Sequence, residues 1–283
     1  MSEARRSLKG LEPSTPNLHL FVGRPDASFW KRDRFLIGFE CVPALRHPLA
    51  ILKLQLLTDG YFTLDKSFLV FGKYQGTKFK AALKPLLVET ERDKILIDTG
   101  IGTLPAKYLG HHQVIRETEQ QLIQSLQRAG RDPNDITLVV NTHLHFDHCG
   151  NNRLFSRAKF VSQIDEIRYA FYPDRFMRIS YLREFFDLEG DFLPVRGRHV
   201  IDDGVEIVPT PGHSIGHQSV VIRWKGRNIV YTGDAAPLPE NIEKGNISGM
   251  VYDSGKASES IELLRGIKDA VYIHSHEDRK MQF

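Results

Sequence analysis

The segment NTHLHFDHCGNN, residues 141–152, constrains this chain most, because it places three histidines and an aspartate within six positions. It directly follows the apolar segment ITLVV, which predicts a short buried strand. Clustered imidazoles without a counter-charge are costly unless they share a cation, and Zn²⁺ prefers neutral imidazole and carboxylate ligands. His143 and His145 point the same way in extended backbone, while Asp147 and His148 can face a second position. The segment predicts a site for one or two metal ions, with solvated loop histidines as the alternative.

Composition limits the class of protein. The 283 residues are 41% hydrophobic and 26% charged, which is typical of a folded chain with a sizeable core. A formal charge of +3 argues against a nucleic-acid-binding surface. The two cysteines, Cys41 and Cys149, cannot make a disulfide framework, which fits a reducing compartment. No apolar run reaches signal-peptide or membrane-spanning length, so we expect a cytoplasmic protein without a membrane or nucleic-acid partner.

Strands and helices alternate twice along the chain, which predicts an α/β fold. In the first half, ILKLQLL, KPLLVET and KILIDTG predict strands, and residues 113–130 predict a helix that includes Ile115 and ends at Gly130. In the second half, VEIVP, QSVVIRW, NIVYTGD and AVYIH predict strands, and ASESIELLRGI predicts a helix. Three further metal-binding side chains follow strands of the second half: His213, Asp234 and His276. Strand ends are the usual place for chemistry in layered α/β proteins.

Two segments stand apart from this pattern. Residues 165–193 are rich in Phe, Tyr and Arg and predict two helices that form an insertion or lid. Residues 1–50 carry no strong motif and are predicted to be an N-terminal arm, for which a homodimer contact is one candidate role. The main domain is then predicted over residues 51–283.

The motifs THLHFDH, TPGHSIGHQS and TGD, with LIDTG upstream, resemble those of the metallo-β-lactamase-fold hydrolases. The order and spacing are similar over most of the chain, and the likeness is greatest to the quorum-quenching N-acyl homoserine lactonases. The resemblance implies an αββα sandwich with a helical insertion and metal ions at one edge. It also implies two divalent metal ions, zinc first, with cobalt, manganese or iron as alternatives.

Carried over position by position, the resemblance implies a set of seven ligands. His143, His145 and His213 would bind the first metal, Asp147, His148 and His276 the second, and Asp234 both. The segment IHSHED also offers His274, but relatives follow the ligand histidine with an acidic residue, as Glu277 follows His276.

The resemblance also implies roles beyond metal binding. Asp147 resembles the residue proposed to pass a proton to the leaving oxygen, and Asp234 is implied as the second catalytic carboxylate. Asp98 and His217 are predicted to support the ligands by hydrogen bonding. For Asp98, an ordinary position in a surface turn is the alternative.

The substrate is predicted from the same likeness. A hydroxide that bridges the metals would open the ester bond of a lactone, with N-acyl homoserine lactones first and phosphotriesters, aryl esters or thioesters as alternatives. The better-known lactonases carry a tyrosine three residues after the bridging aspartate, whereas this chain, like a YtnP-like subgroup, has Pro237 there. Tyr181, Tyr169 and Phe186 are therefore candidate substrate contacts, with packing of the insertion as the alternative.

Overall fold

The computed structural model describes residues 51–108, 113–188, 190, 192–279, 281 and 283, so the predicted N-terminal arm, residues 1–50, lies outside the described residues. The strands are β1 (Ile51–Leu56), β2 (Tyr61–Asp65), β3 (Lys78–Ala82), β4 (Leu86–Thr90), β5 (Lys94–Ile97), β6 (Val114–Ile115), β7 (Leu138–Val140), β8 (Lys159–Gln163), β9 (Phe192–Val195), β10 (His199–Asp202), β11 (Val205–Pro209), β12 (Gln218–Trp224), β13 (Arg227–Tyr231) and β14 (Ala270–Ile273). The α-helices are α1 (Leu122–Arg128), α2 (Phe146–Cys149), α3 (Ile164–Phe171), α4 (Arg183–Phe186), α5 (Pro239–Lys244) and α6 (Ser254–Arg265).

Two sheets pack face to face and carry helices on their outer sides. One has the strand order β1-β4-β5-β7-β8-β9 and the other β10-β11-β12-β13-β14, while β3-β2-β6 form a smaller third sheet. Alternate strand residues enter one core between the two large sheets, as Leu86 and Val220 do. On the outer faces, Leu126 of α1 packs on the first sheet and Leu264 of α6 on the second. The predicted αββα sandwich is confirmed.

Strand register brings the polar strand ends to one edge. In the first sheet Ile97 pairs with Val140 in parallel β5 and β7, so Asp98 and the histidine segment leave the sheet side by side. In the second sheet Tyr231 pairs with Ile273 in parallel β13 and β14, so the segments leading to Asp234 and His276 also run together. The fold thus gathers residues from distant parts of the sequence at this edge.

Two sequence predictions need correction. The predicted helix over residues 113–130 is wrong in its first part, because Val114 and Ile115 form β6 on the edge of β2 and the α-helix begins only at Leu122. The insertion does contain two helices, α3 and α4, but Phe192 and Leu193 at its predicted end belong to β9 of the first sheet. Among the described residues no helix is long and apolar enough to cross a membrane.

Candidate metal centre

The structure brings the seven predicted ligand side chains together at the sheet edge, and all are buried. They form two groups in which the potential ligand atoms lie within 4.8 Å of one another. Site 1 is the group His143, His145 and His213, and site 2 is the group Asp147, His148 and His276, with Asp234 beside them.

Site 1 is built from imidazole nitrogens that face one another. His213 Nε2 lies 3.2 Å from His143 Nε2 and 3.0 Å from His145 Nδ1. His143 and His145 follow the end of β7, and His145 stands directly before the short helix α2. His213 lies in the loop between β11 and β12. Three ring nitrogens at such separations match the spacing of ligands around one tetrahedral ion at about 2.0–2.1 Å.

The hydrogen bonds of the ligand histidines turn their lone pairs inward. The outer nitrogen donates in each of four rings: His148 Nδ1 to Asp98 at 2.8 Å, His213 Nδ1 to the Met250 carbonyl at 2.7 Å, His276 Nδ1 to the Ala82 carbonyl at 3.0 Å, and His143 Nδ1 to the Thr142 hydroxyl at 3.1 Å. The inner nitrogen of each ring thus faces the centre, where it can bind a metal once it is unprotonated. His148 Nε2 is buried without a hydrogen-bond partner. The residues present therefore fit divalent metal ions.

Asp234 stands between the two sites. Its Oδ1 lies 3.3 Å from His148 Nε2 and 3.2 Å from His276 Nε2, whereas its Oδ2 lies 3.6 Å from His213 Nε2 of site 1. Asp147 completes site 2, with Oδ2 at 3.6 Å from His148 Nε2 and 3.5 Å from His276 Nε2. One carboxylate thus offers an oxygen to each site, which is the geometry that a bridging ligand needs.

The electrostatics of the centre differ between the histidines of site 1 and those of site 2. Burial, reinforced by the neighbouring imidazoles, lowers the pKa of His143 well below its ordinary value, so its ring is neutral at neutral pH. Burial alone would raise the pKa of Asp234, but the imidazoles of His276 and His148 outweigh it and lower that pKa well below the usual range. At His148 and His276, Asp234 and Asp147 outweigh the effect of burial and raise the pKa of both rings, well above its ordinary value in His148. Metal binding needs neutral imidazole and ionised carboxylate, so an ion entering site 2 would displace the protons of these two rings.

The two predicted supporting residues lie directly behind the ligands. Asp98 accepts the His148 Nδ1–H and also a hydrogen bond from the Thr142 hydroxyl at 2.9 Å. His217 Nε2 accepts the backbone N–H of Asp234 at 2.9 Å, and its Nδ1 lies 2.8 Å from the Thr210 hydroxyl. His217 therefore fixes the backbone that carries the bridging carboxylate.

His274 and His276 point to different surroundings. His276 Nε2 belongs to site 2, whereas His274 Nδ1 donates to the Ala236 carbonyl at 2.8 Å. Burial lowers the pKa of His274 to about 4. His274 also borders a separate cavity of about 400 Å³ that Tyr272 and Arg279 help to line. The geometry thus brings together the ligand set that contains His276.

A cavity of about 370 Å³ opens onto the two sites, and its wall is mostly apolar. Asp147 and Asp234 lie in this wall, together with His145, His213 and His276. Its other lining residues are Phe62, Leu64, Phe68, Leu69, Phe146, Phe176, Ile179, Ser180 and Met250.

The three predicted substrate contacts do not line this cavity. Tyr181 packs behind His145 with its hydroxyl turned to Glu166, and the Tyr169 hydroxyl donates to Asp174. Phe186, on α4 of the insertion, is buried in the core. The insertion instead contributes Phe176, which lies between its two helices. The structure thus does not place these three side chains in the cavity wall, because they pack in the core or bind polar groups of the insertion.

Sequence reasoning missed two polar residues of the centre. Ser275 donates to Asp234 Oδ1 at 2.6 Å, and Glu166, from α3, accepts hydrogen bonds from both loops that carry the site 1 histidines. For Ser275, its place between the candidate ligands His274 and His276 was a usable signal. Glu166 has no such signal, because α3 approaches the loops only in the folded chain.

An αββα sandwich with a histidine site and a mixed histidine and aspartate site at one edge is the architecture of a metal-dependent hydrolase. The metallo-beta-lactamase superfamily model matches residues 85–276. The chain therefore belongs to the metallo-β-lactamase superfamily.

Its similarity to individual proteins is modest but extends over most of each chain. An N-acyl homoserine lactonase of Bacillus cereus is 29% identical over 232 residues, which cover 77% of this chain and 89% of the relative. The N-acyl homoserine lactonase AttM of Agrobacterium fabrum is 26% identical over 249 residues, with 80% and 93% covered. A solved N-acyl homoserine lactone hydrolase, with the product N-hexanoyl-L-homoserine bound at its catalytic metal centre, superposes with a TM-score of 0.71 at 26% identity, covering 81% of this chain and 94% of that one. The enzyme is thus related to the N-acyl homoserine lactonases.

Proposed function

We propose that the protein is a dinuclear lactonase that opens the ester ring of N-acyl homoserine lactones and so quenches quorum signals. The observation that carries the proposal is the pair of His and Asp sites joined by Asp234 at the base of an apolar cavity. The likeness to N-acyl homoserine lactonases supports the substrate class.

Site 1 would hold one divalent ion and site 2 the other, with Asp234 as a ligand of both. Imidazoles dominate the set, which favours zinc, while cobalt, manganese and iron are the alternatives. When bound, the two ions supply the Lewis acidity that activates water and polarises the ester carbonyl.

Two carboxylates have separate roles: Asp147 would transfer the proton, and Asp234 would position the ions. Asp147 lies in the cavity wall beside site 2, where its carboxylate would take a proton from the attacking water and return it to the alkoxide oxygen released from the ring. Ser275 and His217 hold Asp234 by its side chain and its backbone, respectively. Because Asp234 is fixed at both its side chain and its backbone, it would keep the distance between site 1 and site 2 constant.

The cavity wall fits an acyl chain. The apolar side chains of Phe62, Leu64, Phe68, Phe176 and Ile179 line it, and its volume of about 370 Å³ is within the range of small-molecule sites. Substrates with an alkyl tail would bury apolar surface there and leave the ester at the metal centre. We propose that the enzyme works on this small molecule in the cytoplasm, without a nucleic-acid partner.

Proton release on hydrolysis tests the proposal. The zinc-loaded protein is offered butanoyl, hexanoyl and decanoyl homoserine lactones, a phosphotriester and a thioester. We expect the lactones to be preferred by about 100-fold or more, and chelation to abolish turnover. The Asp234→Asn protein should be folded but inactive, whereas Asp165→Asn, at a surface carboxylate, should behave as wild type.

Two results would contradict the proposal. Full turnover by Asp234→Asn would exclude the bridging carboxylate. Intact lactones alongside rapid cleavage of the phosphotriester or thioester would leave the metal centre in place and assign it a different substrate.

A further inference from the structure

We infer that Glu166 is the positioning residue of site 1, which it holds together by binding the backbone of the two loops that carry its histidines. The inference rests on the proposed function for the assignment of site 1 as a metal site. Glu166 lies on α3, within the predicted insertion, and its side chain is fully buried.

Both oxygens of Glu166 are occupied by donors from different segments. Oε1 accepts the backbone N–H of Leu144 at 3.0 Å and the Tyr181 hydroxyl at 3.1 Å. Oε2 accepts the Ser214 hydroxyl at 2.8 Å and the backbone N–H of Gly216 at 3.0 Å. A buried carboxylate with this many donors is well satisfied, and hydrogen bonds to an ionised acceptor are stronger than neutral ones.

The sequence positions of these donors carry the inference. Leu144 stands between the ligands His143 and His145, and Ser214 follows the ligand His213 directly. One carboxylate therefore links the loop after β7 to the loop after β11, and these two loops carry the whole of site 1. Metal ligands that come from separate loops need such a link to hold their spacing.

The packing around Glu166 is specific to this contact. A Cβ on Gly216 would lie 2.3 Å from the Glu166 backbone nitrogen and 2.6 Å from its Cβ, so a glycine is required for the loop to approach α3. Tyr181, which donates to Glu166, packs its ring edge-on against His145 at 4.7 Å between centroids. Glu166 thus also fixes Tyr181, the side chain that packs against the ligand His145.

Site 2 has different supports, so loss of Glu166 should affect the two sites unequally. The outer nitrogens of His148 and His276 donate to Asp98 and to the Ala82 carbonyl, neither of which Glu166 contacts. Glu166→Gln keeps the shape of the side chain but replaces one acceptor oxygen with a donor that faces donors. We expect Co²⁺ affinity to fall about 10- to 100-fold at site 1 and to stay unchanged at site 2.

The test titrates the metal-stripped, full-length protein with Co²⁺ and follows the paramagnetically shifted imidazole N–H signals by proton NMR. In the wild type, site 1 should give three such signals and site 2 two, because the groups contain three and two histidines. At a Co²⁺ concentration that just fills both wild-type sites, Glu166→Gln should lose the site 1 signals and keep those of His148 and His276. Asp202→Asn is the matched control, since this buried carboxylate binds Thr90 at the end of β4, and the turn that follows lies at the opposite end of β5 from Asp98.

The outcomes separate the inference from the proposed function. A wild type that binds no Co²⁺ at these histidines would defeat the dinuclear centre itself. A wild type with both sites, together with a folded Glu166→Gln that keeps both, loses both equally or loses site 2, would overturn the inference. Should Glu166→Gln fail to fold, Ser214→Ala and Tyr181→Phe each remove one donor, and they must weaken site 1 alone for the inference to stand.

Discussion

Exchange of His276 or His274 for alanine tests the metal centre directly, because the two residues are close in sequence but their side chains lie in different surroundings. His276 Nε2 lies 3.5 Å from Asp147 Oδ2 and 3.2 Å from Asp234 Oδ1, whereas His274 donates to the Ala236 carbonyl. Site 2 together with Asp234 offers four side-chain ligands, so His276→Ala removes one of four.

The expected size follows from the binding free energy of comparable sites. Four-ligand zinc sites bind with about 10–16 kcal/mol, so one ligand accounts for roughly 2.5–4 kcal/mol. That difference weakens the Kd by about 10²- to 10³-fold. We therefore expect His276→Ala to bind one metal tightly and the other weakly in a metal-buffered titration.

His274→Ala is the control for folding and packing. It should retain two tight metals, although removal of a buried ring that stacks on Tyr272 will lower the free energy of unfolding. The reasoning is refuted if His274→Ala loses a metal while His276→Ala keeps both, since His274 would then be the ligand.

Three further outcomes follow from the site and its cavity. Asp98 accepts the Thr142 N–H on one oxygen and the His148 Nδ1–H on the other, and Asp98→Asn keeps a single acceptor oxygen, so one of these donors is left facing an amide NH₂. Metal affinity should fall about 10- to 100-fold in the same titration, and unchanged affinity would show that this contact is dispensable. Phe176→Ala removes part of the cavity wall and should raise KM about tenfold for a decanoyl lactone but hardly for a butanoyl one, because each CH₂ contributes about 0.8 kcal/mol on burial. Phe71→Ala, at an exposed phenylalanine outside the cavity wall, should change neither KM, and equal losses for both chain lengths would exclude an acyl site here. Each ion present at 100 times its Kd stabilises the fold by about 2.7 kcal/mol, so chelation of both ions removes about 5.4 kcal/mol and should lower the Tm by about 10–20 °C. A Tm unaffected by chelation would contradict binding at these sites.

The histidine segment could be interpreted from sequence because its chemistry is local. Four ligand candidates lie within residues 143–148, and they leave one strand end together, so their convergence needs little tertiary information. The strands were equally predictable, since β4, β5 and β7 are short apolar runs buried in the sandwich. Ile115 was misplaced because its apolar side chain also suits a helix, and only the pairing of β6 with β2 decides between them.

The cavity wall could not be predicted, because it joins segments that are distant in sequence. Phe62 and Phe68 come from β2 and the turn after it, Phe176 comes from the insertion, and Met250 precedes α6. His274 and His276 posed a related difficulty. An extended strand would turn them to the same side, but β14 ends at Ile273 and the chain turns at Ser275 and His276.

The segment after Asp234 has a structural role in place of the missing tyrosine. The Pro237 carbonyl accepts the backbone N–H of His276 at 3.2 Å, so this segment anchors a site 2 residue rather than offering a hydroxyl to the cavity. The Tyr181 hydroxyl is committed to Glu166, and Ser180 is the one hydroxyl-bearing residue among the described residues that line the cavity. The Ser180 hydroxyl lies 3.4 Å from the Met250 sulfur, a weak acceptor that a substrate oxygen can replace. In the proposed reaction, Ser180 is therefore the hydroxyl in the described cavity wall that can bind a substrate oxygen, and bound metal ions would supply the rest of the polarisation of the carbonyl.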